Sequence, residues 1–177
     1  GWENVTNYFS AKINGKDADY YLKKEWIVSE YGLPILQVET PEVLVRDLVT
    51  SKNPNIKNIA QFSWQKPEDK LAISVQTIAY KDSVKVNLKQ LFNDELGQLM
   101  QEQAKKIQTT AKKFKNVKAL SGDVLEGTFE INEGNETKKM RFFTVFISDS
   151  YGLQTVRITH DAKDKLAKDF IDRVTNS

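Results

Sequence analysis

The sequence predicts an α+β fold built from an antiparallel sheet, a long helix and a second helix at the end of the chain. Three observations predict it. A long amphipathic segment follows residue 87, three strand-like segments separated by turn residues lie between residues 124 and 159, and another amphipathic segment closes the chain. The chain shows no internal repeat and no linker, so residues 2–177 are expected to form a single domain.

Three short strands are expected near the start of the chain, where aromatic and β-branched residues are concentrated. They lie around two turn-forming pairs, Asn14-Gly15 and Tyr31-Gly32. The expected strands are Tyr8–Ile13, Tyr20–Val28 and Leu33–Val38.

The segment after these strands has two interpretations. Thr40, Pro41 and Glu42 are a cap residue, a proline at the first helical position and an acid, which is a helix-start pattern. The apolar residues at 43–45, 48 and 49 fit a short helix and a strand equally well. From the sequence alone, residues 41–50 are therefore either a helix or a strand.

The middle of the chain predicts two strands and then the long helix. The strands are Ile56–Trp64 and Ala72–Ala79. Asn87 is a favourable N-cap, so the helix is expected from Leu88 to about Ala104 with its apolar residues on one face. Beyond that point the helix either continues through residue 111 or breaks near residues 109–110.

The last third of the chain predicts an antiparallel meander of three strands. These strands are Val124–Ile131, Lys138–Ile147 and Leu153–Thr159, and turn-forming residues separate them. The middle strand is apolar on both pleat faces, so we expect it to be central and covered on both sides.

The closing helix is expected to begin at a cap made by Asp161, with Asp164 in its first turn. It carries an apolar stripe, which we expect to lie beside the most apolar strand of the meander. We therefore predict that it packs on the meander and that four side chains are buried together: Phe142, Phe146, Phe170 and Ile171.

The order of these elements resembles that of the PsbP-like family, which has members in photosystem II, in Ran-dependent import and among DcrB-type bacterial lipoproteins. The residues that carry the resemblance are Tyr8-Phe9-Ser10 with Trp26, the segments 88–96, 127–130 and 151–159, and the closing segment 170–177. The resemblance implies an α/β/α sandwich with a central antiparallel sheet. It also implies a non-catalytic binding or assembly function, and it supplies no catalytic residue.

Composition and motifs argue against most enzyme chemistries. The chain has no cysteine and a single histidine, His160. We interpret His160 as a cap or surface residue, and the alternative is a small hydrolase with a carboxylate or serine site near it. No glycine-rich phosphate motif occurs, so no cofactor is expected. The acidic pairs Asp17/Asp19 and Asp161/Asp164 lack a calcium-loop pattern, so no metal is expected either.

Six lysines form the best candidate for a binding site. They lie within 14 residues that contain no acid, and an acidic segment without bases follows at residues 121–136. The segment is either a patch for an anionic protein, polysaccharide or lipid headgroup, or a solvated helix end neutralised by Glu130, Glu133 and Glu136. With a net charge of only +2 and no arginine in the run, no nucleic-acid partner is expected. The lysines are Lys105, Lys106, Lys112, Lys113, Lys115 and Lys118.

The expected compartment is extracytoplasmic. No apolar run approaches the ~20 residues that span a bilayer. The absence of cysteine and the resemblance to lipoproteins favour a bacterial exported protein or lipoprotein, with a leader expected upstream of Trp2 and a lipid anchor as one form of attachment. The alternative is a cytosolic protein that has no cysteine.

Overall fold

The computed structural model describes residues 15–64, 66 and 71–176 of the chain. Three helices and nine strands are seen in this part. In chain order they are α1 (Ala18–Leu22), β1 (Ile27–Tyr31), β2 (Leu36–Thr40), β3 (Val45–Asp47), β4 (Ile56–Ser63), β5 (Leu71–Tyr80), α2 (Leu88–Gln101), β6 (Lys105–Lys115), β7 (Ser121–Glu133), β8 (Glu136–Ser148), β9 (Gly152–Asp161) and α3 (Ala167–Thr175).

Seven of the strands form one antiparallel sheet in the order β3-β4-β5-β9-β8-β7-β6, and β1 pairs with β2 in a separate hairpin. Helix α2 packs on one face of the sheet, and α1, α3 and the hairpin pack on the other. The predicted α+β fold, with a central antiparallel sheet between helices, is confirmed. The meander β7-β8-β9 is also present, and β8 lies between two neighbouring strands as expected.

Helix α2 begins where the sequence predicts and ends earlier than either interpretation of its end. The Asn87 side chain accepts a hydrogen bond of 3.1 Å from the amide of Gln90. At the other end Gln103 adopts φ 70°, and the amide of Ala104 donates to the carbonyl of Leu99 at 3.0 Å. A continuation of the helix through residue 111 and a break near residues 109–110 are therefore both wrong. Those residues instead pair with β7, which satisfies their backbone groups as a strand.

The four side chains predicted to be buried together are all buried, but on opposite faces of the sheet. Phe142 and Phe146 lie under α2. Phe170 and Ile171 of α3 pack against the other face, with Val156 and its neighbours. The prediction of one shared cluster is wrong, because side chains alternate along a strand and the even-numbered positions of β8 point away from α3.

The N-cap of helix α3 is Leu166, five residues after the predicted cap, Asp161. Asp161 is the last residue of β9, and its carboxylate accepts from the amide of Lys163 at 2.9 Å. Leu166 occupies the N-cap position without a side-chain hydrogen bond. Strand pairing holds Asp161 in the sheet, so it caps the turn and not the helix. The buried stripe of α3 is present as predicted, formed by Ala167, Phe170, Ile171 and Val174.

The region before residue 50 departs most from the sequence predictions. The prediction of a strand over Tyr20–Val28 is wrong except at residues 27 and 28, which begin β1. Its first residues belong to α1, which Asp17 caps by accepting from the amide of Tyr20 at 3.3 Å. Residues 41–50 hold the short strand β3 and no helix, because Thr40 donates its hydroxyl to the carbonyl of Glu42 at 2.6 Å and not to a helix start. The predicted strand Tyr8–Ile13 lies outside the described residues.

The β1-β2 hairpin is held against the sheet at its turn. Gly32 has φ 62° and packs so closely on Thr77 of β5 that a Cβ atom would overlap the Thr77 hydroxyl. The amide of Leu33 donates to the same hydroxyl at 3.0 Å. Only glycine fits this close approach, so the predicted Tyr31-Gly32 turn has a tertiary as well as a local reason.

Candidate functional site

A groove of about 590 Å³ lies between α3 and the β6 end of the sheet. We call it the basic groove and define it by its six basic side chains. Three acids, Glu126, Asp164 and Asp172, also line it, so its charged side chains sum to about three positive charges at neutral pH. The basic residues are Lys112, Lys113, Lys115, Arg141, Lys165 and Lys168.

Successive side chains of β6 point to opposite faces of the sheet, and this alternation determines which of its lysines lie on the face of the groove. Lys112 stands opposite Val124, which stands opposite Val145, so Lys112 lies on the α3 face of the sheet. Its Nζ atom is 3.2 Å from Glu126 and 5.5 Å from the centre of the Phe143 ring. Neighbouring positions of a strand alternate, so residues 113 and 115 lie on the other pleat face at the rim.

Four of the six bases make no ion pair within the part of the chain that the structure describes: Lys115, Arg141, Lys165 and Lys168. Lys165 lies in the turn before α3, Lys168 lies in the first turn of α3, and both are exposed. Arg141 is carried by β8. Three separate elements thus contribute cations without a local counter-ion, and such a surface attracts anions.

His160 forms part of the groove lining and is 7% exposed. The interpretation of His160 as a surface residue is therefore wrong. Burial lowers the pKa of the imidazole, and the nearby charge of Arg141 lowers it further, although the Asp161 carbonyl and the Asp164 carboxylate oppose the shift. The ring is thus neutral at neutral pH. Its Nδ1 lies 2.8 Å from the Asp161 carbonyl and donates to it, which leaves Nε2 as an acceptor.

The six lysines singled out from the sequence divide into two groups in space. Residues 112, 113 and 115 line the basic groove, whereas Lys105 and Lys106 lie at the other end of β6 and Lys118 lies in the turn that follows it. All but Lys118 are on a strand, so the interpretation of a solvated helix end is wrong.

The acidic segment neutralises the lysine run in part. Lys106 pairs with Glu130 at 3.5 Å and Lys113 pairs with Asp123 at 2.7 Å, both across the β6-β7 ladder. Glu133, which was expected to take part, lies 3.5 Å from Lys138 instead. Sequence reasoning missed Arg141, Lys165 and Lys168 because no local pattern links them to β6.

The acidic pairs considered as metal ligands have structural roles. Asp19 pairs with Lys23 at 3.1 Å, and Asp164 accepts from the amides of Ala18 at 2.9 Å and Leu166 at 3.2 Å. Within the ranges 15–64 and 71–176, no group of three or more histidine or acidic side chains could hold a metal ion.

A second groove, of about 510 Å³, lies between α2 and strands β4, β5 and β9 on the opposite face of the sheet. We call it the acidic groove because four acids and one base line it. The Arg157 Nε atom is 2.6 Å from Glu95 and its Nη1 atom is 3.0 Å from Glu102. Burial opposes the charge of Arg157, but the two glutamates raise the pKa of its guanidinium above the usual value. The acids are Asp47, Asp94, Glu95 and Glu102.

None of the helices that the structure describes is long and apolar enough to cross a membrane.

No family model matches the chain, and no curated protein matches it. Two solved structures are similar over most of its length. One is LpqN, described as involved in cell envelope biogenesis of Mycobacterium tuberculosis, with 9% identity over 90% of this chain and 94% of that chain and a TM-score of 0.42. The other is PA94 of Pseudomonas aeruginosa, described as a protein of unknown function, with 10% identity over 83% and 95% of the two chains and a TM-score of 0.39. Likenesses this distant carry no argument about function.

Proposed function

We propose that this chain is a non-catalytic binding or assembly domain that holds an anionic partner in the basic groove. One observation carries the proposal: six bases against three acids line a single groove, and four of those bases have no ion-pair partner among the described residues. Cations gathered in a cleft attract anions more strongly than scattered surface lysines do. The partner is therefore expected to carry several negative charges.

The alternative is a small hydrolase with a carboxylate or serine site near His160, and the described lining of the basic groove offers it carboxylates but no serine. The Thr175 hydroxyl donates to the Ile171 carbonyl at 2.8 Å. A hydrolase would also need a base that acts on such a nucleophile. We therefore expect that ester hydrolysis by the protein, measured with 4-nitrophenyl acetate, does not change in His160→Gln. A loss of turnover in that variant would favour the hydrolase.

We further propose that the domain belongs to an exported bacterial protein or lipoprotein of the PsbP-like type. The support is the absence of cysteine from the chain and the resemblance of its order of elements to that family. The test is a fusion of the full-length gene product to alkaline phosphatase, which needs an oxidising compartment to form its disulfides. Active phosphatase in the bacterial host supports export. Inactive phosphatase from a stably produced fusion contradicts it.

The binding proposal is tested with three anionic probes: heparin, an acidic peptide, and vesicles that contain an anionic lipid. Binding is measured at about 50 and 200 mM salt, because attraction between exposed charges weakens as the Debye length shortens. The variant Arg141→Gln with Lys165→Gln and Lys168→Gln removes three groove cations that make no local ion pair. We expect it to bind the preferred probe at least about tenfold more weakly, as expected for the loss of several charge contacts.

A matched control removes lysines from the same protein outside the groove. Lys105→Gln with Lys106→Gln and Lys118→Gln alters three exposed lysines that do not line the groove, so both variants remove three charges. This control should stay within about twofold of the wild type. Equal losses in both variants would mean that overall charge and not the groove controls binding.

A further inference from the structure

The outer side of β6 is a long exposed sheet edge. The strand has 11 residues, and all but Ile107 and Phe114 are exposed. The opposite edge of the sheet, β3, has only three residues. Within the part of the chain that the structure describes, no strand pairs with the outer side of β6. An edge of this length can accept a further strand through its backbone.

The register of β6 shows which backbone groups point outward. The amide of Asn116 donates to the Leu120 carbonyl at 2.9 Å, in the same register as the β6-β7 ladder. Hydrogen-bonded pairs alternate with non-hydrogen-bonded pairs in an antiparallel ladder, so positions 110, 112 and 114 bond to β7. The N–H and C=O groups of Thr109, Ala111 and Lys113 therefore face away from the sheet.

We propose that the anionic partner is an extended acidic segment of another polypeptide, which adds to β6 as an eighth strand of the sheet. This inference rests on the proposed function and names the kind of partner. A polysaccharide or a lipid headgroup can meet the lysines, but only a polypeptide repeats amide donors and acceptors at the spacing of a strand edge. The outward groups at residues 109, 111 and 113 would each find a partner.

The charges of the edge select an acidic strand. A strand added beside β6 would place its side chains next to Lys112 on the groove face and next to Lys113 and Lys115 on the other face. Like charges that stand opposite one another are destabilising, so a second copy of β6 would bring lysine against lysine. Lysines on an edge also deter neutral strands from pairing. Carboxylates on two neighbouring positions would instead meet cations on both faces, because successive side chains of a strand point to opposite faces.

The test separates backbone pairing from charge. Ala111→Pro removes one outward N–H group and keeps every charge, and proline is tolerated on an edge strand where its nitrogen faces solvent. Lys113→Gln with Lys115→Gln removes charge and keeps the backbone. The probe is a synthetic peptide of about ten residues in which pairs of glutamates alternate with pairs of valines, so that both faces carry carboxylates, and its length is matched to β6. Heparin serves as the anionic reference without a peptide backbone.

We expect Ala111→Pro to weaken binding of the peptide by about tenfold or more, because the variant loses one or two backbone hydrogen bonds and the close fit of the added strand. Binding of heparin should stay within about twofold of the wild type. The lysine variant should weaken both. In the wild type, bound peptide should slow hydrogen exchange at the amides of residues 109, 111 and 113.

A second peptide keeps the test decisive if Ala111→Pro does not fold. It carries N-methyl groups on two adjacent central residues, which blocks both of its edges because neighbouring amides point in opposite directions. Wild-type protein should bind it at least about tenfold more weakly than the unmethylated peptide. Equal binding of the two peptides, with a loss only in the lysine variant, overturns strand addition and leaves the proposed function standing. If neither the peptides nor heparin bind at low salt, the proposed function fails as well.

Discussion

The two faces of the seven-stranded sheet hold their charges in different ways. On the α2 face, Arg157 bonds to Glu95 and Glu102, and Glu95 also accepts a hydrogen bond of 3.0 Å from the buried hydroxyl of Thr144. On the α3 face, Lys165 and Lys168 are exposed and make no ion pair with any described residue. A buried charge needs an ion-pair or hydrogen-bond partner within the fold, because water does not solvate it. An exposed charge is solvated and remains available to an external partner. The first arrangement contributes to stability, and the second is suited to binding.

The largest expected effect is a loss of stability, and it tests whether the two faces of the sheet have separate hydrophobic cores. Phe142→Ala and Phe170→Ala each truncate a side chain that is at most 2% exposed, so each should lower the free energy of unfolding by about 3–5 kcal/mol. The sheet separates the two sites, so the losses should add to within about 0.5 kcal/mol in the double variant. Urea denaturation at equilibrium measures all three. A coupling of more than about 1 kcal/mol would mean that the faces are not independent.

The next effect tests the internal charges of the α2 face. Arg157→Met leaves the Glu95 carboxylate, which is 6% exposed, without its cation. Breaking a buried pair in this way should cost about 3–5 kcal/mol of unfolding free energy. The matched control is Lys112→Met, which breaks an exposed ion pair of 3.2 Å on the α3 face and should cost less than about 1 kcal/mol. Similar costs for the two variants in urea denaturation would contradict the distinction between the faces.

A smaller effect concerns His160 on the α3 face, whose pKa is lowered in the fold by burial and by Arg141. Above the unfolded-state pKa of about 6.5, the imidazole is neutral in both states and its contribution to stability is complete. As the pH falls below that value the unfolded chain binds the proton first, so stability declines. The wild type should therefore lose more of its urea midpoint between about pH 7.5 and 5.5 than His160→Gln does. Parallel losses would show that His160 does not titrate abnormally.

The smallest expected effect concerns the exposed lysines of the basic groove. Lys165→Gln with Lys168→Gln removes two charges that have no counter-ion to lose within the described chain, so the free energy of unfolding should change by no more than about 0.5 kcal/mol. The same variant should bind an anionic probe more weakly. A clear stabilisation in urea denaturation would indicate that these lysines repel other groove cations, which would strengthen the contrast between the faces.

Caps and turn residues predicted those helices and strands that are determined by residues close to them in the sequence. Turn residues between β7, β8 and β9 gave the meander, and Asn87 gave the start of α2, because a cap and a turn act within a few residues. The same reasoning failed for α1, which the aromatic content of residues 20–28 made look like a strand. There the Asp17 cap and the contact of Tyr21 with Trp64, at 5.0 Å between ring centres, outweigh strand propensity.

The sequence predicted only part of the candidate site. The lysine run predicted cations on one segment, but its interpretation as a helix end failed because the run pairs with β7. Apolar periodicity could not decide between helix and strand beyond residue 104, since Ile107 and Phe114 are the only large apolar side chains on a nearly fully exposed strand.

The sequence by itself determined the meander, the two amphipathic helices and the concentration of lysines at residues 105–118. Only the tertiary structure decided that α3 packs on the face opposite Phe142, and that Arg141, Lys165 and Lys168 join the β6 lysines around His160. The physical reason is that strand pairing and pleat alternation assign each side chain to a face and a neighbour. Those assignments depend on partners far along the chain, whereas caps, turns and apolar stripes depend on residues close at hand.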